Sequence, residues 1–214
     1  MKSLKLTQDF YLNDDVVSLA KTLIGHQINT NINGILTKAL ITETEAYAGI
    51  SDKASHAYGG RRTKRTEVMY RTGGTVYVYL CYGMHYMFNI VTNKKDIPDA
   101  ILIRAIYPLQ GMDVMLKRVQ KNKWLPNTGI GPGKVSKLLG INKEYDGISL
   151  RSNAVWLSSK EIELDKKDIK SSTRIGIAYA QEDALLPWRF YIEYQTIRRY
   201  INDISPLLKT SAFP

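Results

Sequence analysis

Apolar and polar positions in the first third of the chain follow two different rhythms. Val16, Val17, Leu19, Ala20, Leu23 and Ile24 recur at helical spacing, which predicts a helix over residues 14–23 capped by Asn13 or Asp14. The rhythm then shortens to that of strands in QINTNI and ILTKALITETEA. Asn33-Gly34 between them is the dipeptide of a tight hairpin, so the two runs are predicted to pair antiparallel. Glu45 falls near the end of the second run, before a turn at Gly49. TVYVYLCYGMHYMFNIVT, residues 75–92, is rich in β-branched and aromatic residues and divides into two strands at Tyr82-Gly83. DAILIRAIY, residues 99–107, is a further strand carrying one arginine, Arg104. Short helices are predicted over residues 113–122 and 135–139, the second stopped by Gly140, and AVWLS, RIGIAYA and WRFYIEY read as later strands.

No repeat, low-complexity tract or linker interrupts this pattern, so all 214 residues are expected to form one mixed α+β domain around a largely antiparallel sheet. Charge adds a partner class. Thirty Lys and Arg against twenty Asp and Glu give a net charge of +10, which suits a polyanion such as nucleic acid or an anionic membrane surface; simple solvation of the excess is the alternative. The single cysteine, Cys81, excludes an intrachain disulfide and a Cys-cluster zinc site, and its place in an apolar strand suits packing. MKSLKLTQDFYLNDD lacks the apolar core of a signal peptide, and no later run reaches membrane-spanning length, so an intracellular protein is expected.

Candidate chemistry is unevenly spread. His26, His56 and His85 lie far apart with no zinc-type spacing, so no metal is expected, and no Gly-x-Ser-x-Gly elbow is present. GIGPGK lacks the P-loop spacing; it is either a plain loop or, with backbone amides and Lys134 at a helix start, a general anion site. Glu43 and Glu45 share strand parity and so one face. Buried there, they need a cation, and Arg104 has the complementary need among apolar neighbours. Their meeting could be a structural ion pair or the centre of acid–base catalysis. Tyr47 and His56 follow Glu45 closely. Tyr77 reads as packing, whereas Tyr82, beside the turn glycine, would be an exposed aromatic tip able to wedge between stacked bases. Aromatic rings near a carboxylate suit a base taken out of a helix.

ETEAY, the histidine of ASHAYGGRRTKRTEVMYRTGGTVYVYLCYGMHYMFNIVT, ILIRAIYPLQG, GPGK and RIGIAYAQEDALLPWRFY, in this order over nearly the whole chain, resemble the alkyladenine (3-methyladenine) DNA glycosylase family. The resemblance implies a monofunctional base-excision repair enzyme that flips damaged purines out of double-stranded DNA. It would hydrolyse the N-glycosidic bond of 3-methyladenine, 7-methylguanine, hypoxanthine or ethenoadenine. It implies a curved antiparallel sheet with a protruding β-hairpin, no cofactor, and a monomer. By matching positions, Glu45 would activate water held also by Arg104 and the Ile175 carbonyl. Tyr47, His56 and Tyr79 would form the base pocket, and Asn89 would clash with the 2-amino group of normal guanine. Tyr82 would intercalate into the duplex, with Arg61, Met84 and Lys134 also on DNA. The compartment would be cytoplasm or nucleoid in a bacterium, nucleus in a eukaryote.

The chain departs from the family pattern at His85, where relatives often have tyrosine, and in the acidic Gln181-Glu182-Asp183 stretch. Arg61, Arg62, Lys64 and Arg65 form a basic run suited to phosphates, or to plain solvation. No lysine adjoins Glu45, the nearest downstream being Lys53, so water is the expected nucleophile. Two rivals stand beside this reading: a damaged-DNA binder without catalysis, and a hydrolase of free nucleosides.

Overall fold

The hairpin at Asn33-Gly34 forms as predicted, with both residues in the left-handed region at φ 54° and 77°, as a tight twisted turn requires. In the computed structural model, which describes residues 4–160 and 162–210 with side chains to residue 203, this hairpin joins β1 (Gln27–Ile32) to β2 (Ile35–Tyr47). The second predicted hairpin is present too, between β3 (Val76–Cys81) and β4 (His85–Thr92), its turn built on Tyr82 and Gly83 at positive φ. β5 (Asp99–Gln110), β6 (Val155–Ser158), β7 (Lys170–Ser172) and β8 (Arg189–Tyr191) complete an antiparallel sheet that does not close.

Its main path is β3-β4-β5-β2-β1-β6. The thirteen-residue β2 changes partner along one edge: its first half pairs with β1, and Glu43–Glu45 pair with β8. On its other edge the pairing with β5 runs Ile41↔Ile106, Glu43↔Ala105, Thr44↔Ile103. Thr42 is therefore an extra residue in one strand and Arg104 in the other, two adjacent bulges where the acidic run crosses the sheet.

Strand parity separates two faces. Val76, Val78, Phe88, Ile90, Ile101 and Ile103 point into the main core, which is closed by helices α1 (Gln8–Tyr11), α2 (Val16–Thr22), α3 (Met112–Arg118), α4 (Pro132–Leu139) and the start of α5 (Tyr194–Thr210). The intervening residues Tyr77, Val91 and Ala100 face a smaller cluster with Ala57, Val68, Met69 and Tyr70, so the segment after β2 covers the opposite face. Thr44, fully buried, ties β2 to α2 by donating to the Ala20 carbonyl at 2.8 Å.

Several sequence expectations need correction. RIGIAYA is not a strand: Gly176 takes φ 79°, and a 3-10 turn occupies Ala178–Leu185. Its apolar alternation has another cause, because Ile177 and Ala180 pack on Ala54 while Ile175 stays half exposed. The predicted helix over residues 113–122 ends four residues early, α4 begins three residues early at Pro132, and β8 is three residues long. β5 continues through Pro108, tolerated where its register with β2 shifts at Lys38/Ala39. α1, β7 and α5 had no counterpart in the sequence pattern.

The cap of α2 is Asp15, neither Asn13 nor Asp14; its Oδ1 accepts the Ser18 amide at 2.9 Å, and these bonds hold its carboxyl below the usual range. Asn13 instead accepts the Asp15 amide at 2.8 Å. Asp15→Ala is expected to cost about 1 kcal/mol of stability, and Asp14→Ala close to nothing, in denaturant melts.

Candidate active site

Where the two bulges meet, three charged side chains converge away from water. Glu45 has no exposed surface, and Glu43 and Arg104 are buried. Arg104 Nε donates to Glu43 Oε1 at 3.1 Å, and its Nη1 donates to Glu45 Oε2 at 3.3 Å. The predicted encounter of the two acids with Arg104 is thus present. Glu43 Oε1 has a second partner unforeseen from sequence, Arg189 Nη1 of β8 at 3.0 Å. Glu45 is further held by the Tyr47 hydroxyl, which donates to Oε2 at 2.9 Å, and by the Ile175 backbone N–H, which donates to Oε1 at 2.7 Å. A carboxylate offers about four acceptor positions; three are filled at Glu45, and the fourth, on Oε1, faces Arg104 Nε at 3.3 Å, whose one N–H is given to Glu43. Burial pushes the Glu45 carboxyl above its ordinary pKa, against the pull of Arg104, the Ile175 amide and the Tyr47 hydroxyl.

Above this cluster opens a cleft of about 290 Å³. Tyr47, Arg104 and Ile175, all in contact with Glu45, line it, as do His56, Tyr77, Tyr79 and Asn89. Tyr79 meets His56 edge to face at 4.6 Å between ring centres and lies 5.4 Å from Tyr77. His56 Nδ1 is 2.9 Å from the Tyr77 hydroxyl, so Tyr77, read as packing, also fixes a cleft residue. Burial, with Arg65 and Arg61 nearby, pushes the His56 imidazole down to about 4. The Asn89 amide donates to the Tyr77 and Met87 carbonyls at 3.2 and 3.1 Å, which locks its rotamer against the cleft wall.

The remaining predicted residues lie around the mouth. Tyr82 is 87% exposed and lines the cleft from the hairpin tip, with Met84 beside it at 72%. Arg61 is exposed on a neighbouring basin shared with His56, Arg65 and Lys53. Lys134 sits exposed in the first turn of α4, its Nζ on the Asn127 carbonyl at 3.2 Å, while Pro132 of the same turn reaches the cleft. Arg62, in the basic run, is committed instead to Glu67 and Asp96 at 2.7 and 2.8 Å. The acidic 181–183 stretch is largely answered by Lys53: its Nζ reaches Gln181 and Glu182, and its amide donates to Asp183. His26 is buried beneath α2 and His85 abuts Gly133 on α4, both apart from the cleft. Among the described residues, no group of three His, Cys, Asp or Glu side chains could hold a metal ion.

Sequence reasoning missed the pair that holds the cleft's outer wall. Arg174 and Asp52, whose side chains have no exposed surface, form a two-pronged ion pair, with Nη2 donating to Oδ1 at 2.9 Å. Arg174 also donates to the Ala46 and Asp183 carbonyls, and its guanidinium lies over the Tyr47 and Trp188 rings at 4.9 and 5.1 Å. It thus ties the end of β2, the following loop and the 174–183 segment together. A signal existed: an arginine opening the apolar run RIGI has the same unmet need as Arg104 in ILIRAI.

A buried carboxylate thus lies under an aromatic cleft, beside an exposed aromatic tip on a basic protein. The chain belongs to the methylpurine-DNA glycosylase family, whose model matches residues 9–196. It is similar to the Chlamydia abortus protein named "Putative 3-methyladenine DNA glycosylase", 48% identical over 188 residues covering 87% of this chain and 97% of that one. Proteins of the same name from Clostridium perfringens (strain 13) and Natranaerobius thermophilus are 44% and 43% identical, over 89% and 88% of this chain and 96% of each of theirs. The protein is therefore a DNA repair hydrolase, a DNA glycosylase of alkylated purines. Among the described residues no helix is long and apolar enough to cross a membrane.

The depressed His56 pKa has a measurable consequence. An unfolded chain takes up protons on histidine below about pH 6.5, whereas folded His56 resists until about 4. Burying it neutral therefore adds stability that is whole above pH 6.5 and is lost as pH falls toward 4. Side-chain NMR is expected to show the His56 imidazole neutral at pH 5 and titrating near 4.

Proposed function

We propose that the cleft receives a damaged purine rotated out of the duplex, namely 3-methyladenine, 7-methylguanine, hypoxanthine or ethenoadenine, and that Glu45 is the general base. Water adds to C1′ of the sugar, its proton passes to Glu45, and the base departs with the electrons of the N-glycosidic bond. The observation that carries this reading is the state of Glu45: ionisable, wholly buried, held by three donors, with a fourth acceptor position that no hydrogen bond fills. Its negative charge also favours the sugar as that ring becomes oxocarbenium-like. Arg104, which lines the cleft, would share the water, and the Ile175 carbonyl would be its third contact.

The aromatic wall supplies the other half. Tyr47, His56 and Tyr79 would stack on and bond the extruded base, and a neutral His56 does not repel a purine made cationic by alkylation. Alkylation at N3 or N7 already makes the base a good leaving group, so such substrates need no acid. Asn89, locked by two carbonyls, would exclude the 2-amino group of guanine. Tyr82 would fill the gap in the duplex, with Met84 beside it, and Arg61 and Lys134 would meet phosphates. Lys53, bound to Glu182 and Gln181, is engaged away from Glu45, which supports water over an amine nucleophile and so base release without strand cleavage. The reaction is read as the work of a monomer without cofactor.

Glu45→Gln is expected to slow base release from alkylated duplexes at least about 100-fold while leaving their affinity within twofold. Wild-type release would remove Glu45 from the mechanism, and wild-type protein that binds damaged duplex without releasing base would leave only a binding role. Arg61→Gln and Lys134→Gln are each expected to flatten the dependence of log affinity on log salt by about 0.9, read by anisotropy across a salt series.

A further inference from the structure

Arg104 does not embrace Glu45 as a free arginine would. A charge-assisted guanidinium–carboxylate bond closes to about 2.7–2.9 Å, and paired in parallel it becomes bidentate. Here both approaches of Arg104 to Glu45, Nε to Oε1 and Nη1 to Oε2, stop at 3.3 Å, and the shorter contact, 3.1 Å, goes from Nε to Glu43. Glu43 is itself anchored from behind by Arg189, whose side chain also donates to the Thr173 carbonyl at 2.9 Å and lies over the Tyr191 ring at 4.8 Å. The four charges form a neutral chain: Arg189, Glu43, Arg104, Glu45. Only Arg104 of the four lines the cleft.

We propose that Glu43, braced by Arg189, is a positioning residue: it draws Arg104 back from Glu45, keeping an acceptor position open for the attacking water and the Glu45 carboxylate basic. Without the Glu43 charge, Arg104 closes on Glu45 as a tight pair that occupies that position and lowers its proton affinity. Without Arg189, Glu43 has Arg104 as its one cation, and the cluster carries an excess negative charge that raises the proton affinity of Glu45. The other ionisable group bonded to Glu45, Tyr47 on its own strand, and Arg174, which lies over the Tyr47 ring, are unchanged in both cases. The inference rests on the reading of Glu45 as general base.

The test is single-turnover release of 7-methylguanine from duplex DNA between pH 4.5 and 8, with affinity measured in parallel. In the acid part of this range the base stays cationic, losing its N1 proton only near neutral pH, so its own titration adds no acid limb to the profile. Glu43→Gln, which keeps the shape and an acceptor, is expected to slow release about tenfold at unchanged affinity and to move the acid limb of the profile about one pH unit lower. Arg189→Gln is expected to move that limb in the opposite direction. A wild-type rate and profile in Glu43→Gln, or shifts of the same sign in both variants, overturns the proposal. Should Glu43→Gln fail to fold, an unmoved acid limb in Arg189→Gln overturns it alone. Glu45→Gln separates the two levels: if it still releases base, the reading of Glu45 fails and this proposal with it, whereas a dead Glu45→Gln beside a wild-type Glu43→Gln sinks the positioning role only.

Discussion

Two carboxylates in the middle of a sheet must be neutralised by something that the sheet itself does not ordinarily provide. Leaving one buried charge without its partner costs several kcal/mol, enough to endanger a domain of ordinary stability. Arg104 meets the need by stepping out of register: it is the extra residue of β5, just as Thr42 is the extra residue of β2. A regular ladder would place a single residue opposite each acid. The paired bulges let one guanidinium reach both Glu43 and Glu45, and they bend β2 where it exchanges β1 for β8. Arg189 on β8 then supplies the second cation.

The cleft follows from this arrangement through strand parity. Once Arg104 faces away from the helices, Tyr77, Tyr79 and Asn89 on the adjoining strands share its side, and Phe88, Ile90 and Ile103 take the core. Two irregular segments complete the walls, and the buried Arg174–Asp52 pair fastens one to the other across 122 residues of sequence. Because Arg174 also stacks on Tyr47, the ring that bonds Glu45 cannot turn without disturbing that fastening.

Much of the sheet was legible because its signals are local. Asn33-Gly34 and Tyr82-Gly83 mark turns by backbone conformation alone, and Gly140 ends α4 for the same reason. The candidate site was partly legible because an unpaired acid and an unpaired arginine in apolar runs each announce a partner. RIGIAYA misled for a physical reason: its alternation reflects packing of Ile177 and Ala180 under a loop, and periodicity does not distinguish a strand from a turn that buries every third residue. Arg189 and Asp52 left no comparable mark. One lies in a three-residue strand and the other among turn residues, where charge is ordinary.

The sequence by itself determined which residues need one another: its hairpins, the face shared by Glu43 and Glu45, the acids that require a cation, and the motifs that place the chain in its family. Only the tertiary structure decided how those needs are met. The bulges join side chains 61 and 59 residues apart, and the bracing of Glu43 by Arg189 and the locking of Tyr47 by Arg174 depend on side chains more than a hundred residues apart arriving within 3.0 Å of each other or one over the other's ring. Such encounters are set by the packing of the whole sheet, and no local pattern encodes a distance across it.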